Sequence, residues 1–308
     1  MKKYNNSIII GIDHGYGNIK TANSCFPTGV NSFDTEPIFK DNMLVYNNKY
    51  YLIGNDHKEF IPDKIFDDDY YILTLAGIAK ELNFHKIYFA DIYLAAGLPL
   101  TWVSGQKEQF KKYLLQNKQV NFTFKNKSYF INFIDVDIYP QGFAAIINNI
   151  SEFTGMNMLC DIGNGTMNIM LVTDKKPDAQ RIYTEKFGTH QCILQIRENI
   201  MRKYHTEIPE QIINSVMRFG TADIDKDYLQ TITQTAKQYV FNIFRKMREH
   251  GYDEKLMKLH VVGGGSHLIK NFADIKPDRV FINEDICATA KDYERMLEMK
   301  LIRGGGKL

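Results

Sequence analysis

The segment IIGIDHGYGNIK, residues 9–20, decides how the rest of the chain is read. An apolar run ends at Asp13, glycines follow at 15 and 17, and a second short run begins at Asn18. This reads as strand, tight turn and returning strand, over residues 7–13 and 18–24. Residues 158–170, MLCDIGNGTMNIM, repeat the pattern, with Asp161, Gly163 and Gly165 matching Asp13, Gly15 and Gly17 position for position. Strands are expected over 158–162 and 167–173. One Asp-x-Gly-x-Gly turn is ordinary hairpin chemistry, since glycine and aspartate suit tight turns. Two copies, each after a buried-type strand, imply a duplicated unit.

The chemistry of the loop gives a reason for doubling it. A nucleoside triphosphate with magnesium presents several charges, and a glycine turn lets backbone N–H groups approach phosphate oxygens with no Cβ in the way. One loop from each half would clamp the phosphates, through Gly15, Tyr16, Gly17 and Asn18 in the first and Gly163, Asn164, Gly165 and Thr166 in the second. Asp13 and Asp161 would face the ion, mainly through its waters, because magnesium dehydrates reluctantly. Lys20, on the returning strand, would place its ammonium on the β and γ phosphates.

Two other glycine motifs fail. A dinucleotide fingerprint needs a third glycine where Lys20 stands and a helix after the turn, and a P-loop needs glycine in place of Ile19. A third cluster, LHVVGGGSHLI at 259–269, follows an apolar strand and opens a helix at Ser266. Such a turn, here Gly263, Gly264, Gly265 and Ser266, lets a flat base or an α-phosphate lie against main chain.

Outward from these loops, short strands are expected at 43–46 and 49–53 inside a β-rich insertion over about 26–85, which a helix at 74–83 closes. A long strand at 87–97, a helix at 105–116 and two strands within 120–138 follow. Pro140 is expected to open a helix over 141–150. In the second half, residues 181–186 add a strand, 189–251 form a helical insertion with a periodic stretch at 229–248, and 258–262 form a strand. A helix over 287–300 closes the chain, and the glycine-rich tail from 303 is expected to fray. Small residues Gly142, Ala144 and Ala145 on one helix, and Ala288 and Ala290 on the other, would let the two cross closely. The expected division is 1–150 with 286–308, and 151–285.

Composition narrows the function. The 308 residues carry 38 basic and 36 acidic side chains, net +2, so no long-range field draws the protein onto DNA or an anionic membrane. Hydrophobic residues at 44% supply a core, and no stretch nears the roughly 18 apolar residues of a membrane span. Cys25, Cys160, Cys192 and Cys287 lie far apart without zinc-site spacing, as reduced thiols do. The short apolar run after MKKYNN lacks the length of a secretory signal, and the chain reads as soluble and cytoplasmic.

Loop, helix, loop, Gly-Gly-Gly turn and terminal helix in this order resemble the actin, hexokinase and chaperone ATPase superfamily, from Ile8 to about Leu297. IGIDHGYGNIK, LAAGLPL, DIGNGTMNI and VVGGGSHLI together are most similar to the ParM/StbA branch, the bacterial actin-like proteins of plasmid segregation. The resemblance implies an α/β, actin-like ATPase fold in which two related domains flank a nucleotide cleft, with smaller subdomain insertions. It implies ATP or GTP with Mg2+ as cofactors, self-association into filaments, and a DNA-binding adaptor on a centromere-like plasmid site. It also puts the water-orienting residue at the start of the first connecting helix, Tyr139 to Ala145, where Gln141 stands. Glutamine is no strong base, so Gln141 would orient water while Asp161 takes most of the remaining catalytic role.

The same clamp also serves a small-metabolite kinase or a non-filamentous, chaperone-like regulatory ATPase. A kinase needs a carboxylate to take the acceptor's proton, and Asp91, Asp135 and Asp137 are the aspartates near first-half strand ends. A chaperone would usually carry a substrate domain beyond the ATPase.

Overall fold

Two sheets organise the chain, and the computed structural model describes residues 1–54, 68–99, 102–142, 144 and 150–305 of it. The chain divides into two compact units, Met1–Asn148 with Cys287–Leu308, and Asn149–Ile286. In the first unit the central strand is β2 (Ser7–His14), flanked by β1 (Lys2–Tyr4), β3 (Asn18–Lys20) and β4 (Cys25–Pro27) on one side. On its other side lie β8 (Phe89–Leu98) and β10 (Lys127–Pro140), both parallel to β2. The sheet then continues through β9 (Gln119–Phe124), β6 (Met43–Tyr46), β7 (Lys49–Ile53) and β5 (Val30–Phe33). The β-rich insertion is therefore an extension of the main sheet. Residues 55–67 of it lie outside the described residues.

The run Ile8–Ile12 is buried on both faces, as expected of a central strand whose sheet is covered on both sides. Ile8, Ile10 and Ile12 share a cluster with helix α1 (Asp69–Phe84), whereas Ile9 joins Ala95, Tyr139, Tyr293 and Leu297. The last two belong to the closing helix α7 (Ala288–Gly305). Each isoleucine so enclosed contributes about 1.5–3 kcal/mol. Helix α2 (Val103–Leu114) adds Phe110 and Leu114 to the first cluster.

The second unit repeats the strand order. β11 (Met156–Ile162) carries β12 (Met167–Thr173) and β13 (Lys176–Glu185) antiparallel on one side, and β14 (Lys258–Val262) and β15 (Val280–Ile282) parallel on the other. The order β13-β12-β11-β14-β15 matches β4-β3-β2-β8-β10 strand for strand. The duplication seen in two loops thus extends to whole sheets. Helices α3 (Thr189–Tyr204), α4 (Glu210–Phe219), α5 (Lys226–Glu249) and α6 (Ser266–Phe272) cover this sheet. The helical stretch is cut at His205 and Gly220, which take left-handed conformations past the ends of α3 and α4.

Several sequence expectations change. The strand from Asn18 stops at Lys20, because Thr21 and Ser24 bond to each other in a turn. β10 runs through Pro140, and Gly142 has φ +78°, so the expected helix at 141 begins with a turn. Ala144 is helical; residue 143 and residues 145–149 lie outside the described residues. The expected crossing of two helices falls largely on residues outside the described ones, and among the described residues α7 approaches β2 closely. A Cβ on Gly11 would lie 2.0 Å from the Ala290 carbonyl oxygen. The terminal helix extends to Gly305, past the start of the expected fray. Among the described residues no helix is long and apolar enough to cross a membrane, and the four cysteines form no disulfide.

Candidate functional site

In the first unit, antiparallel pairing sets Asp13 opposite Lys20 and His14 opposite Ile19. Register turns spacing into contact: Lys20 Nζ lies 3.3 Å from Asp13 Oδ2. The other carboxylate oxygen, Oδ1, accepts from Gln141 Nε2 at 3.0 Å. Gln141 arrives there because β10 and β8 run parallel to β2 and finish at the same end of the sheet. Pro140 pairs with Leu98, and the Gln141 N–H donates to the Leu98 carbonyl at 2.8 Å. Asp13, Lys20 and Gln141 are thus one cluster, with Asp13 only 7% exposed.

The turn between them is tighter than expected. Tyr16 is buried, its ring edge-on to Trp102 with centroids 6.5 Å apart, and its carbonyl accepts from Thr28 Oγ1 at 2.6 Å. Burial, with Tyr70 nearby, pushes its phenol far above the ordinary tyrosine range. Tyr16 therefore anchors the turn, and only its main chain suits a ligand. The Gly17 carbonyl accepts from the Thr28 N–H at 3.2 Å, and the Asn18 carbonyl lies over Gly15, 2.6 Å from where a Cβ would be.

In the second unit the loop after β11 closes through Gly163 N–H to the Thr166 carbonyl at 2.8 Å. It is tied to α3 by the Thr189 N–H to the Gly163 carbonyl at 3.0 Å and the His190 N–H to the Asn164 carbonyl at 2.9 Å. Thr189 Oγ1 also donates to Asn164 Oδ1 at 3.1 Å. Asp161 pairs with Val262 across the parallel ladder, which brings the next residue of β14's exit, Gly263, against it. Gly263 has φ +88°, and a Cβ there would lie 2.4 Å from Asp161 Oδ1, so glycine is required on both counts. The Gly265 N–H donates to the Ile162 carbonyl at 2.8 Å, fixing the glycine turn to the end of β11. Open space surrounds Gly264. Ser266 is fully buried, and its Oγ has no hydrogen-bond partner among the described residues. Asp161, 163–166 and 263–266 form this unit's cluster.

Sequence reading missed Gly188, Thr28 and Trp102. Gly188 has no room for a side chain, since a Cβ would lie 2.1 Å from the Asn164 carbonyl oxygen. Its N–H donates to Gln191 Oε1 at 2.8 Å. A helix-start glycine with glutamine three residues on was the available signal. Nothing in the sequence pointed to Thr28 or Trp102. The aspartates considered as kinase bases are all engaged. Asp91 accepts from Asn132 at 3.0 Å, Asp135 pairs with Lys111 at 2.7 Å, and Asp137 accepts from Tyr139 at 2.9 Å and Lys300 at 2.6 Å. Burial raises the Asp137 carboxyl, but the Lys300 and Tyr139 hydrogen bonds outweigh it and hold it below the usual range.

Residues 11–143 match the family described as actin-like proteins, N-terminal domain. No curated protein matches the sequence. Among solved structures, the archaeal actin homologue Ta0583 in complex with ADP superposes with a TM-score of 0.73 at 18% identity, over 95% of this chain and 99% of that one. ParM of Bacillus thuringiensis with ATP gives 0.71 at 14%, over 96% and 100%. The Alp12 filament gives 0.67 at 15%, over 96% and 99%. Identities this low carry the fold alone: the chain as a whole has the actin-like fold, and its residues 11–143 are similar to the actin-like N-terminal domain family.

Proposed function

We propose that this protein is a filament-forming actin-like ATPase that segregates plasmid DNA in the cytoplasm, hydrolysing ATP, or GTP, with Mg2+. The observation that carries the reading is the duplicated strand–Asp–glycine turn, which joins Asp13, Lys20 and Gln141 in one unit and Asp161 with Gly263 in the other. ParM with ATP, Ta0583 with ADP and Alp12 as a filament share the fold.

The residues fit magnesium of a particular kind. Among the described residues no three His, Cys, Asp or Glu side chains converge into a cage for an ion. Asp13 already accepts from Lys20 and Gln141. Asp13 and Asp161 therefore suit an ion that keeps its waters and takes its remaining ligands from phosphate. Magnesium, when bound, neutralises charge developing on the phosphates. Lys20 would transfer part of its attraction from Asp13 to phosphate oxygens. Gln141 Nε2 donates to Asp13, which leaves its Oε1 as the acceptor for the attacking water. Amide polarisation is weak, and turnover would be slow, as suits a polymer timed by its nucleotide. Ser266 Oγ and the open main chain at Gly264 suit the nucleoside end.

The net charge of +2 supports a filament that holds DNA through a separate DNA-binding adaptor at a centromere-like site. The test is sedimentation and light scattering of the purified protein with Mg2+ and ATP or GTP. Polymer should appear above a threshold concentration, persist longer with a non-hydrolysable nucleotide, and Asp161→Ala should nearly abolish phosphate release. Sugar phosphorylation without polymer under any nucleotide would defeat the reading.

A further inference from the structure

The second unit carries a groove of about 540 Å³ between α3 and the start of α4, lined by Arg197, Glu198, Met201, Glu207, Ile208 and Pro209. Met201, Ile208 and Pro209 are its apolar lining, and Arg197, Glu198 and Glu207 its charged lining, with acid in excess. Arg197 pairs with Glu210 at 3.2 Å and Arg202 pairs with Glu198, while Glu207 has no ion-pair partner among the described residues. Met201, 42% exposed, is an adaptable lining for an aromatic ring.

The same unit presents a surface of opposite character on the last turns of α5. Phe241 is 56% exposed, and the Arg248 guanidinium lies 5.9 Å from its ring centroid. Lys237 and Arg245 are exposed on the same face at helical spacing, with Glu249 the lone acid beside them. This is an aromatic knob inside a basic rim. Aromatic and arginine side chains of this kind are what interfaces use as anchors.

Helix packing sets the two surfaces apart. The end of α3 abuts the beginning of α5, through Lys203 Nζ to Thr231 Oγ1 at 3.2 Å and Tyr204 OH to the Asp227 carbonyl at 3.0 Å. From Thr231 to Arg248 the helix advances roughly 25 Å at 1.5 Å per residue. Asn199 Nδ2 also donates to Thr235 Oγ1 at 3.0 Å, so α3 runs antiparallel beside the first half of α5, and Phe241 stands beyond that contact, roughly 15 Å along the helix from Thr231.

We infer that the Phe241–Arg245–Arg248 face of one copy docks in the Met201–Ile208–Pro209 groove of the next. Phe241 packs against the apolar lining, and the basic rim meets Glu207 and Glu198. Such a contact joins two different surfaces, so it is heterologous and propagates. It rests on the filament reading above and names the surfaces that reading leaves open.

The experiment uses two variants of the full chain, Phe241→Asp and Met201→Asp, both at exposed positions, with circular dichroism and binding of a fluorescent nucleotide as checks on folding. Each alone should raise the critical concentration for nucleotide-dependent polymer by roughly tenfold or more. Mixed, they should form a one-to-one dimer in analytical ultracentrifugation, because one intact knob and one intact groove remain. Substoichiometric Phe241→Asp should also block growth of wild-type polymer from one end. Polymer from wild type and from Phe241→Asp at the same threshold overturns this contact alone, as does a mixture that stays monomeric. No polymer from the wild-type chain overturns both this contact and the filament reading.

Discussion

Gln141 and Asp13 are 128 positions apart, yet the Gln141 side-chain amide donates to the Asp13 carboxylate across 3.0 Å. The bond fixes the amide's orientation, with nitrogen toward Asp13 and oxygen away from it. Gln141→Ala should slow nucleotide hydrolysis by roughly 10- to 1,000-fold, the range for a positioned catalytic group, while leaving nucleotide affinity within about threefold. Single-turnover phosphate release, with affinity measured by fluorescence titration, separates the two quantities. Unchanged hydrolysis would remove Gln141 from the reaction.

Gly263→Ala should destabilise the second unit and weaken nucleotide binding together. The substituted residue would hold a left-handed conformation and drive its Cβ toward Asp161 Oδ1, 2.4 Å away. A loss of about 1–3 kcal/mol is expected in chemical denaturation. Gly264→Ala, where a Cβ meets open space, is the control and should leave stability nearly unchanged.

Glu294 gives the chain a stability that depends on pH. Burial pushes its carboxyl up to about 7, against the opposing pull of the chain's N-terminal ammonium at 3.5 Å and of the Gly11 N–H at 3.3 Å. The folded state holds a proton that the unfolded state releases near the ordinary value of 4.5. Stability from this group is therefore complete below about pH 4.5 and is lost as pH rises to about 7. Glu294→Gln keeps an acceptor for Gly11 and removes the titration. Thermal denaturation at pH 8 should find the variant the more stable, by an amount on the order of 1–3 kcal/mol. At pH 4 the two should nearly coincide, and a difference that does not change with pH would contradict the assignment.

How much of this was legible depended on distance along the chain. Strands at Met43–Tyr46, Lys49–Ile53, Met167–Thr173 and Lys258–Val262 agree with the sequence reading residue for residue, because each is an apolar run bounded by turn formers. The matched aspartates and glycines exposed the duplication for the same local reason. β15 escaped, since three residues carry no period and Val280–Ile282 is a strand only through its parallel partner β14. The Thr21–Ser24 turn escaped because its side chains, rather than its hydropathy, break the strand. At the candidate sites, Lys20 beside Asp13 follows from hairpin register, but Gln141 beside Asp13 follows from three strand ends finishing together. No local pattern encodes that, nor the seat of Ala290 over Gly11.

The closing helix has a consequence for biosynthesis. Ile9 and Ala95 are covered by Tyr293 and Leu297, which leave the ribosome some 200 residues or more after the strands they shield, at chain growth of roughly 5–20 residues per second. Until then Ile9 and Ala95 lack that cover, while the second unit, Asn149–Ile286, is made in between. The half that is made first is the half that finishes last, and a nascent chain halted before α7 would expose an apolar surface for chaperones or for aggregation.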